Sequence, residues 1–189
     1  MQHNGSADGT DGTVGCAGQG AVVTGAGGGL GRAHALALAA RGVKVVVNDL
    51  GKAADVVEEI IAAGGEAVAD TSDIADRAVA TTMIEDTVAR WGRIDILINN
   101  AGILRDKSFA KMEIADFRKV VEVHLMGSVH CTKAVWPHMA DAGYGRILMT
   151  TSTSGIYGNF GQANYGAAKS GLVGLMNVLA IEGAKKNIK

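Results

Sequence analysis

The chain has a single proline, two cysteines, almost no net charge and no long apolar run, and each shortage removes a class of protein. Eighteen basic against nineteen acidic residues give a formal charge of -1, so no whole-chain field attracts nucleic acid or an anionic membrane surface. No uninterrupted apolar stretch approaches the length a bilayer requires. Cys16 and Cys131 are too few and too far apart for a zinc cluster or a disulfide framework, so no metal site is expected and both thiols are read as reduced. Cys131, in an apolar helical stretch, reads as core or interface. No Gly-Lys-Ser/Thr follows the glycine-rich turn near residue 25, which argues against a nucleotide triphosphatase loop. Residues 1–20, rich in Gly, Asp, Ser and Thr, have neither a basic n-region nor an apolar h-region. They are expected to form a flexible leader on a cytoplasmic protein. With no internal repeat and no linker, residues 21–189 read as one domain.

Short apolar runs alternate with helical patterns. Strands are expected at residues 21–24, 44–48, 67–70, 94–99 and 145–151, with helices at 32–41, 53–63, 75–91, 114–140 and from about Tyr165. Gly42 stops the first helix, and Pro137 is placed to bend or restart the long one. Continuously apolar strands separated by helices predict an α/β fold whose parallel sheet is covered on both faces.

In such a fold the strand-to-helix turn at residues 24–31 acquires a chemical meaning. Gly25, Gly29 and Gly31 let backbone amides and a helix amino terminus approach a pyrophosphate. Among 27 glycines, a merely permissive loop is the competing reading. Asp49, eighteen residues past Gly31, closes the second strand where a carboxylate accepts from ribose hydroxyls and repels a 2′-phosphate, which favours NAD over NADP; otherwise it caps a turn. Neither Gly28 nor Leu50 supplies a compensating cation, although Arg32 lies close in sequence. Asp73 and Ile74 follow the third strand at the expected adenine edge, with a helix cap as the alternative for Asp73. Asn99-Asn100-Ala101-Gly102 ends the fourth strand, where small residues approach a cofactor or simply form an Asx turn.

Tyr165 and Lys169 stand one helical turn apart, so an ammonium can favour phenolate over phenol on a tyrosine that is otherwise a poor base at neutral pH. The three motifs together resemble the short-chain dehydrogenase/reductase family: Thr24-Gly25-Ala26-Gly27-Gly28-Gly29-Leu30-Gly31 matches its Thr-Gly-x-x-x-Gly-x-Gly turn, Asn99-Asn100-Ala101-Gly102 its Asn-Asn-Ala-Gly stretch, and Tyr165 with Lys169 its Tyr-x-x-x-Lys pair. His124-Leu125-Met126-Gly127 and the run from Gly155 to Tyr165 are similar to the 3-hydroxyacyl-CoA dehydrogenase branch of peroxisomal multifunctional enzymes.

The resemblance implies a three-layer, doubly wound Rossmann-type sheet and an NAD-dependent interconversion of a secondary alcohol and a ketone, with 3-hydroxyacyl-CoA as the best substrate class. It implies that Ser152, with Ser154 in reserve, bonds the substrate oxygen, that Tyr165 exchanges its proton, and that Lys169 assists Tyr165 and contacts the nicotinamide ribose. Leu30 and Gly102 enter the cofactor set with the residues already named. His124 occupies the family's catalytic asparagine position, where its backbone carbonyl and a water can preserve a relay. The resemblance also implies a homodimer or homotetramer built on residues 114–140 and 165–183, whose apolar positions Val120, Val123, Leu172, Leu175 and Leu179 read equally well as core. The family's pattern continues beyond residue 189 with a further strand, a cofactor loop and a substrate-covering region. The fold is therefore expected to be truncated after its sixth major helix, with an exposed edge at residues 145–151. The alternatives are a non-catalytic dinucleotide-binding or oligomer-forming homologue and a purely structural assembly subunit.

Overall fold

A computed structural model describes residues 15–189. Five strands, β1 (Gly20–Thr24), β2 (Lys44–Asn48), β3 (Ala67–Asp70), β4 (Ile96–Asn99) and β5 (Arg146–Met149), form one parallel sheet in the order β3-β2-β1-β4-β5. Val22 faces Val46 on one side and Leu97 on the other, so the three central strands meet through their most apolar residues. Side chains alternate across the sheet. Ala21, Val23, Val45, Val47, Ile96 and Ile98 pack under α1 (Gly29–Ala39) and α2 (Ala53–Ala62), burying Ala35, Val56 and Ile60. Val22, Val46 and Leu97 face the other way, against Ile84 of α3 (Arg77–Trp91) and Cys131, Val135 and Met139 of α5 (Gly127–Ala142). Burial pushes the Cys131 thiol up to about 12, so it is an inert core group. The sheet is thus doubly wound, and strand order reverses between β1 and β4, which opens a crevice at their carboxyl ends.

Several elements depart from the sequence reading for local reasons. Residues 1–14 of the expected leader lie outside the described residues, but the remainder is not loose: Gly18 N–H donates to Gly42 O at 2.8 Å and Lys44 N–H to Gln19 O at 2.8 Å. The third helix starts at Arg77 because Asp76 accepts from Ala78 and Val79 at 2.8 and 3.2 Å. That makes Asp76, and not Asp73, the cap. The long helical region is α4 (Ile114–Val121), a π-turn at Glu122–Met126 and α5, which holds Pro137 without a break or restart. A short helix absent from the expectation, α6 (Thr153–Tyr157), starts at Ser152, and α7 (Ala163–Gly183) follows it.

The outer edge of β5 is partly covered by the chain itself. Gly145 and Ile147 N–H donate to Asn187 O and Lys189 O at 3.2 and 2.8 Å, and Lys189 N–H returns a bond to Gly145 O at 3.0 Å. Ile188 is buried there, whereas Leu148 stays exposed. Val120 and Leu172 are fully buried and belong to the core; the exposed apolar residues of α7 are Met176, Val178 and Ile181.

Candidate active site

At Gly25 and Gly31 the glycine-rich turn packs too closely against its neighbours to admit a side chain. Gly25 has φ +62°, and a Cβ there would lie 2.6 Å from Ala101 Cα; a Cβ on Gly31 would overlap the carbonyl of Gly25. Gly28 and Gly29 face open space. The first turn of α1 has no side-chain cap, so its amides remain available to an anion. Thr24 Oγ accepts from Asn100 and Ala101 N–H at 3.0 and 3.1 Å, and the Asn100 amide donates to the Thr24 and Gly25 carbonyls at 3.0 and 3.1 Å. Asn100 therefore shapes the cradle with its side chain, and Thr24 joins it in a role the motif alone did not specify.

Asp49 faces this turn. Its Oδ2 accepts from Gly27 N–H at 3.1 Å, and its Oδ1 accepts from Gly51 and Lys52 N–H, each at 3.0 Å. Burial alone would raise its pKa, but the three amides and the Lys52 charge outweigh it and hold the carboxyl below its ordinary value. Arg32 is paired with Glu59 on α2. Asp49, Leu50, Asp73, Ile74, Gly25, Ala101, Gly102 and Ile103 share the wall of a cleft of about 610 Å³. Lys119, unforeseen from the sequence, also lines it, with its Nζ 3.9 Å from Asp73 Oδ2.

Gly102 and Ile103 also belong to a second cleft, of about 660 Å³, walled by Leu30, Asn100, Leu104, His124, Thr150, Tyr165 and Lys169. The Lys169 ammonium lies 5.5 Å from the Tyr165 ring centroid and donates to Thr150 O. It is buried, which lowers its pKa to about 8. His124 is also buried: burial first, then the Lys169 charge, lowers its pKa against the opposing bond to Ile103. The imidazole is therefore neutral at neutral pH. Its Nε2 lies 2.9 Å from Ile103 N and 2.8 Å from Ile103 O, and can serve only one of them in a given tautomer. Its Nδ1 is buried without a partner, and the ring fills the space where a Gly102 side chain would stand. The His124 carbonyl accepts from Ser128 Oγ at 2.7 Å.

Ser152 is not among the residues lining this cleft. It caps α6, its Oγ accepting from Ser154 N–H at 3.2 Å, which leaves its own proton to donate elsewhere. Ser154 donates its hydroxyl to Gln162 Oε1 at 2.9 Å, so the reserve candidate is already engaged. Among the described residues no group of three or more His, Cys, Asp or Glu is arranged to hold a metal, and no helix is long and apolar enough to cross a membrane.

Residues 19–189 match the family model described as short chain dehydrogenase. The peroxisomal multifunctional enzyme type 2 of Drosophila melanogaster is 55% identical over 190 residues, covering 95% of this chain; the chain spans 31% of that protein. A crystal structure of a short chain dehydrogenase from Mycobacterium avium superposes with TM-score 0.88 at 43% identity, over 93% of this chain and 66% of that one. A 7α-hydroxysteroid dehydrogenase complexed with NADH and 7-oxo glycochenodeoxycholic acid superposes with TM-score 0.87 at 34% identity, over 92% of this chain and 68% of that one. Matching proteins from Saccharomyces cerevisiae, Mus musculus, Dictyostelium discoideum and Neurospora crassa also carry peroxisomal names. These relatives overturn the cytoplasmic expectation. It rested on the absence of secretory features in residues 1–20, and peroxisomal import is a receptor-read address that needs no secretory signal.

Proposed function

The chain belongs to the short-chain dehydrogenase family, whose Rossmann-type fold is consistent with NAD(P) use on hydroxyl and keto groups, and from that premise we propose that it interconverts a secondary alcohol and a ketone, with NAD as the preferred cofactor and 3-hydroxyacyl-CoA as the substrate class. The observation that carries this reading is a pair of neighbouring clefts: Gly25, Asp49 and Asp73 line one, Tyr165, Lys169 and His124 line the other, and Gly102 with Ile103 belongs to both.

The cradle fits a dinucleotide. The open faces of Gly28 and Gly29 and the uncapped α1 amides suit a pyrophosphate, while Asp49 suits ribose hydroxyls. Asp49 keeps its charge and Arg32 is tied to Glu59, which together favour NAD over a 2′-phosphorylated analogue. Lys169 is assigned to the nicotinamide ribose. Once bound, NAD supplies the acceptor for the carbon-bound hydride of the alcohol.

The chain's own residues handle the proton. Tyr165 takes it from the substrate hydroxyl in oxidation and returns it in reduction. Ser152 donates a hydrogen bond to the same oxygen. Lys169 keeps positive charge beside the Tyr165 ring, and burial strengthens that influence. Neutral His124 holds the peptide of Ile103.

The acyl-CoA preference rests on the likeness to the peroxisomal multifunctional enzymes, which also supports a peroxisomal location. The exposed apolar side chains of α7, with Val178 and Ile181 on one side of the helix, support a homodimer or homotetramer. The domain is assigned to residues 21–189.

The test is calorimetry with NAD and NADP, followed by turnover of 3-hydroxyacyl-CoA, steroid and small secondary-alcohol panels. The expected outcome is tighter binding of NAD and oxidation of 3-hydroxyacyl-CoA that Tyr165→Phe abolishes without weakening NAD. A folded protein that binds NAD and turns over nothing would instead be a non-catalytic dinucleotide-binding homologue.

A further inference from the structure

The segment that follows β4 is bonded at three consecutive residues to the segment that precedes Tyr165. Arg105 O accepts from Asn164 Nδ2 at 3.0 Å, Asp106 Oδ2 accepts from Gln162 Nε2 at 2.8 Å, and Lys107 N–H donates to Gly161 O at 3.0 Å. Asn164 is fully buried, and its Oδ1 accepts from Tyr165 N–H at 2.7 Å, so the first of these bonds ends on the backbone of the proposed proton carrier.

Gln162 does more than its neighbours. Its Oε1 accepts from Ser154 Oγ at 2.9 Å and Asn159 Nδ2 at 3.1 Å, and its carbonyl accepts from Gly166 N–H at 2.7 Å. One residue therefore ties together three segments: its side chain joins the helix capped by Ser152 to the loop that continues from the cleft wall at Ile103 and Leu104, and its backbone carbonyl bonds the first turn of the helix carrying Tyr165. Arg105 and Lys107 face Asp116 at 3.7 and 3.8 Å, so the Asp106 carboxylate is met by the Gln162 amide and not by those cations.

We propose that Gln162 is a positioning residue that, through Asp106 and Ser154, fixes Ser152 and Tyr165 relative to each other and holds the residue 103–108 loop as a wall of the reaction cleft. This rests on the roles assigned above to Ser152 and Tyr165. Gln162 touches no reacting atom and works by geometry, where small displacements of catalytic groups cost large factors in rate.

The chemistry of the bond supplies a test with its own rescue. Gln162→Glu keeps the acceptor for Ser154 and Asn159 but opposes a carboxylate to Asp106, whereas Asp106→Asn in that background restores a donor facing an acceptor. Wild type, Gln162→Glu, Asp106→Asn and the double variant are compared by hydrogen exchange over residues 103–108 and 153–162, by kcat and KM for the alcohol, and by NAD affinity.

Gln162→Glu is expected to speed exchange in both segments and to lower kcat by roughly tenfold to a hundredfold, with NAD affinity unchanged. Asp106→Asn alone and the double variant are expected to return exchange and kcat to within about threefold of wild type. Unchanged exchange in Gln162→Glu, or a double variant as impaired as that single one, overturns the proposal. A wild type without turnover would defeat the oxidoreductase reading, and the exchange arms would still decide whether the clasp exists.

Discussion

The imidazole of His124 meets the ring of Tyr165 edge-on, with centroids 5.1 Å apart and planes at 84°. The same imidazole touches Ile103 through Nε2 and occupies the space beside Gly102. A residue at the family's asparagine position thus reaches both the proposed proton carrier and the wall shared by the two clefts. Its neutral form suits that place, since a second ring proton would be buried without a partner beside the Lys169 cation.

Gly102→Ala forces a methyl group into the His124 ring and is expected to lower stability by about 1–3 kcal/mol. In a His124→Ala background the penalty should shrink, because the obstructing ring is gone. Denaturant unfolding of the four members of that cycle measures the coupling. Additive effects would show that the two residues do not share this space.

The pKa of His124 is lower in the fold than its ordinary 6.5. Below pH 6.5 the unfolded chain therefore takes up a proton that the folded chain resists, so stability is full above that pH and declines as pH falls through the folded value. His124→Asn should flatten this decline and keep turnover within about tenfold, since a carboxamide offers Ile103 both a donor and an acceptor. Urea midpoints between pH 7 and pH 5, with turnover at pH 7, check both statements.

Lys169, lowered by burial to about 8 from 10.5, gives a second window of the same sign. Between those values the unfolded chain holds a proton the folded chain has released, so this contribution to stability grows as pH rises from 8 toward 10.5. Lys169→Met should remove that slope and raise the melting temperature at pH 7, while turnover falls by at least about a hundredfold. A less stable Lys169→Met protein would mean that the bond to Thr150 O outweighs the cost of burying the charge.

Asp49→Ala removes an acceptor used by three amides and is expected to cost about 1–2 kcal/mol of stability. It should also narrow the preference for NAD, and adding Leu50→Arg should carry it toward NADP. Calorimetric affinities for both dinucleotides test this. An unchanged NAD-to-NADP ratio would reduce Asp49 to a turn residue.

Ser152 and Ser154 lie two residues apart but are bonded differently, and their alanine variants should separate. Ser152→Ala is expected to lose about a hundredfold in kcat as a donor to the reacting oxygen. Ser154→Ala, which loses one bond to Gln162, should stay within about tenfold. Equal losses would contradict the assignment of Ser152.

Much of this fold follows from local pattern. The runs Lys44–Asn48 and Ala67–Asp70 are strands with the boundaries their composition indicates; the first is buried along most of its length, as an inner parallel strand apolar on both faces must be, and the second is a short edge strand. The glycine turn and the Tyr165–Lys169 pair are equally local: spacing along one turn or one helix face fixes which groups are neighbours. The short helix behind Ser152 was hidden because Thr153–Tyr157 has no apolar periodicity and is held by a cap and by its packing on α7. The π-turn that presents His124 lies within a stretch whose pattern is simply helical. That His124 bonds Ile103, that Arg32 is taken by Glu59, and that Gln162 joins Asp106 to Ser154 are contacts between residues 21, 27, 56 and 8 positions apart. The sequence determined the sheet, the glycine turn and the Tyr165–Lys169 pair. Only the folded chain decided which polar side chains hold them in place, since hydrogen bonds between distant segments depend on how helices and loops settle over the sheet and leave no period in the sequence.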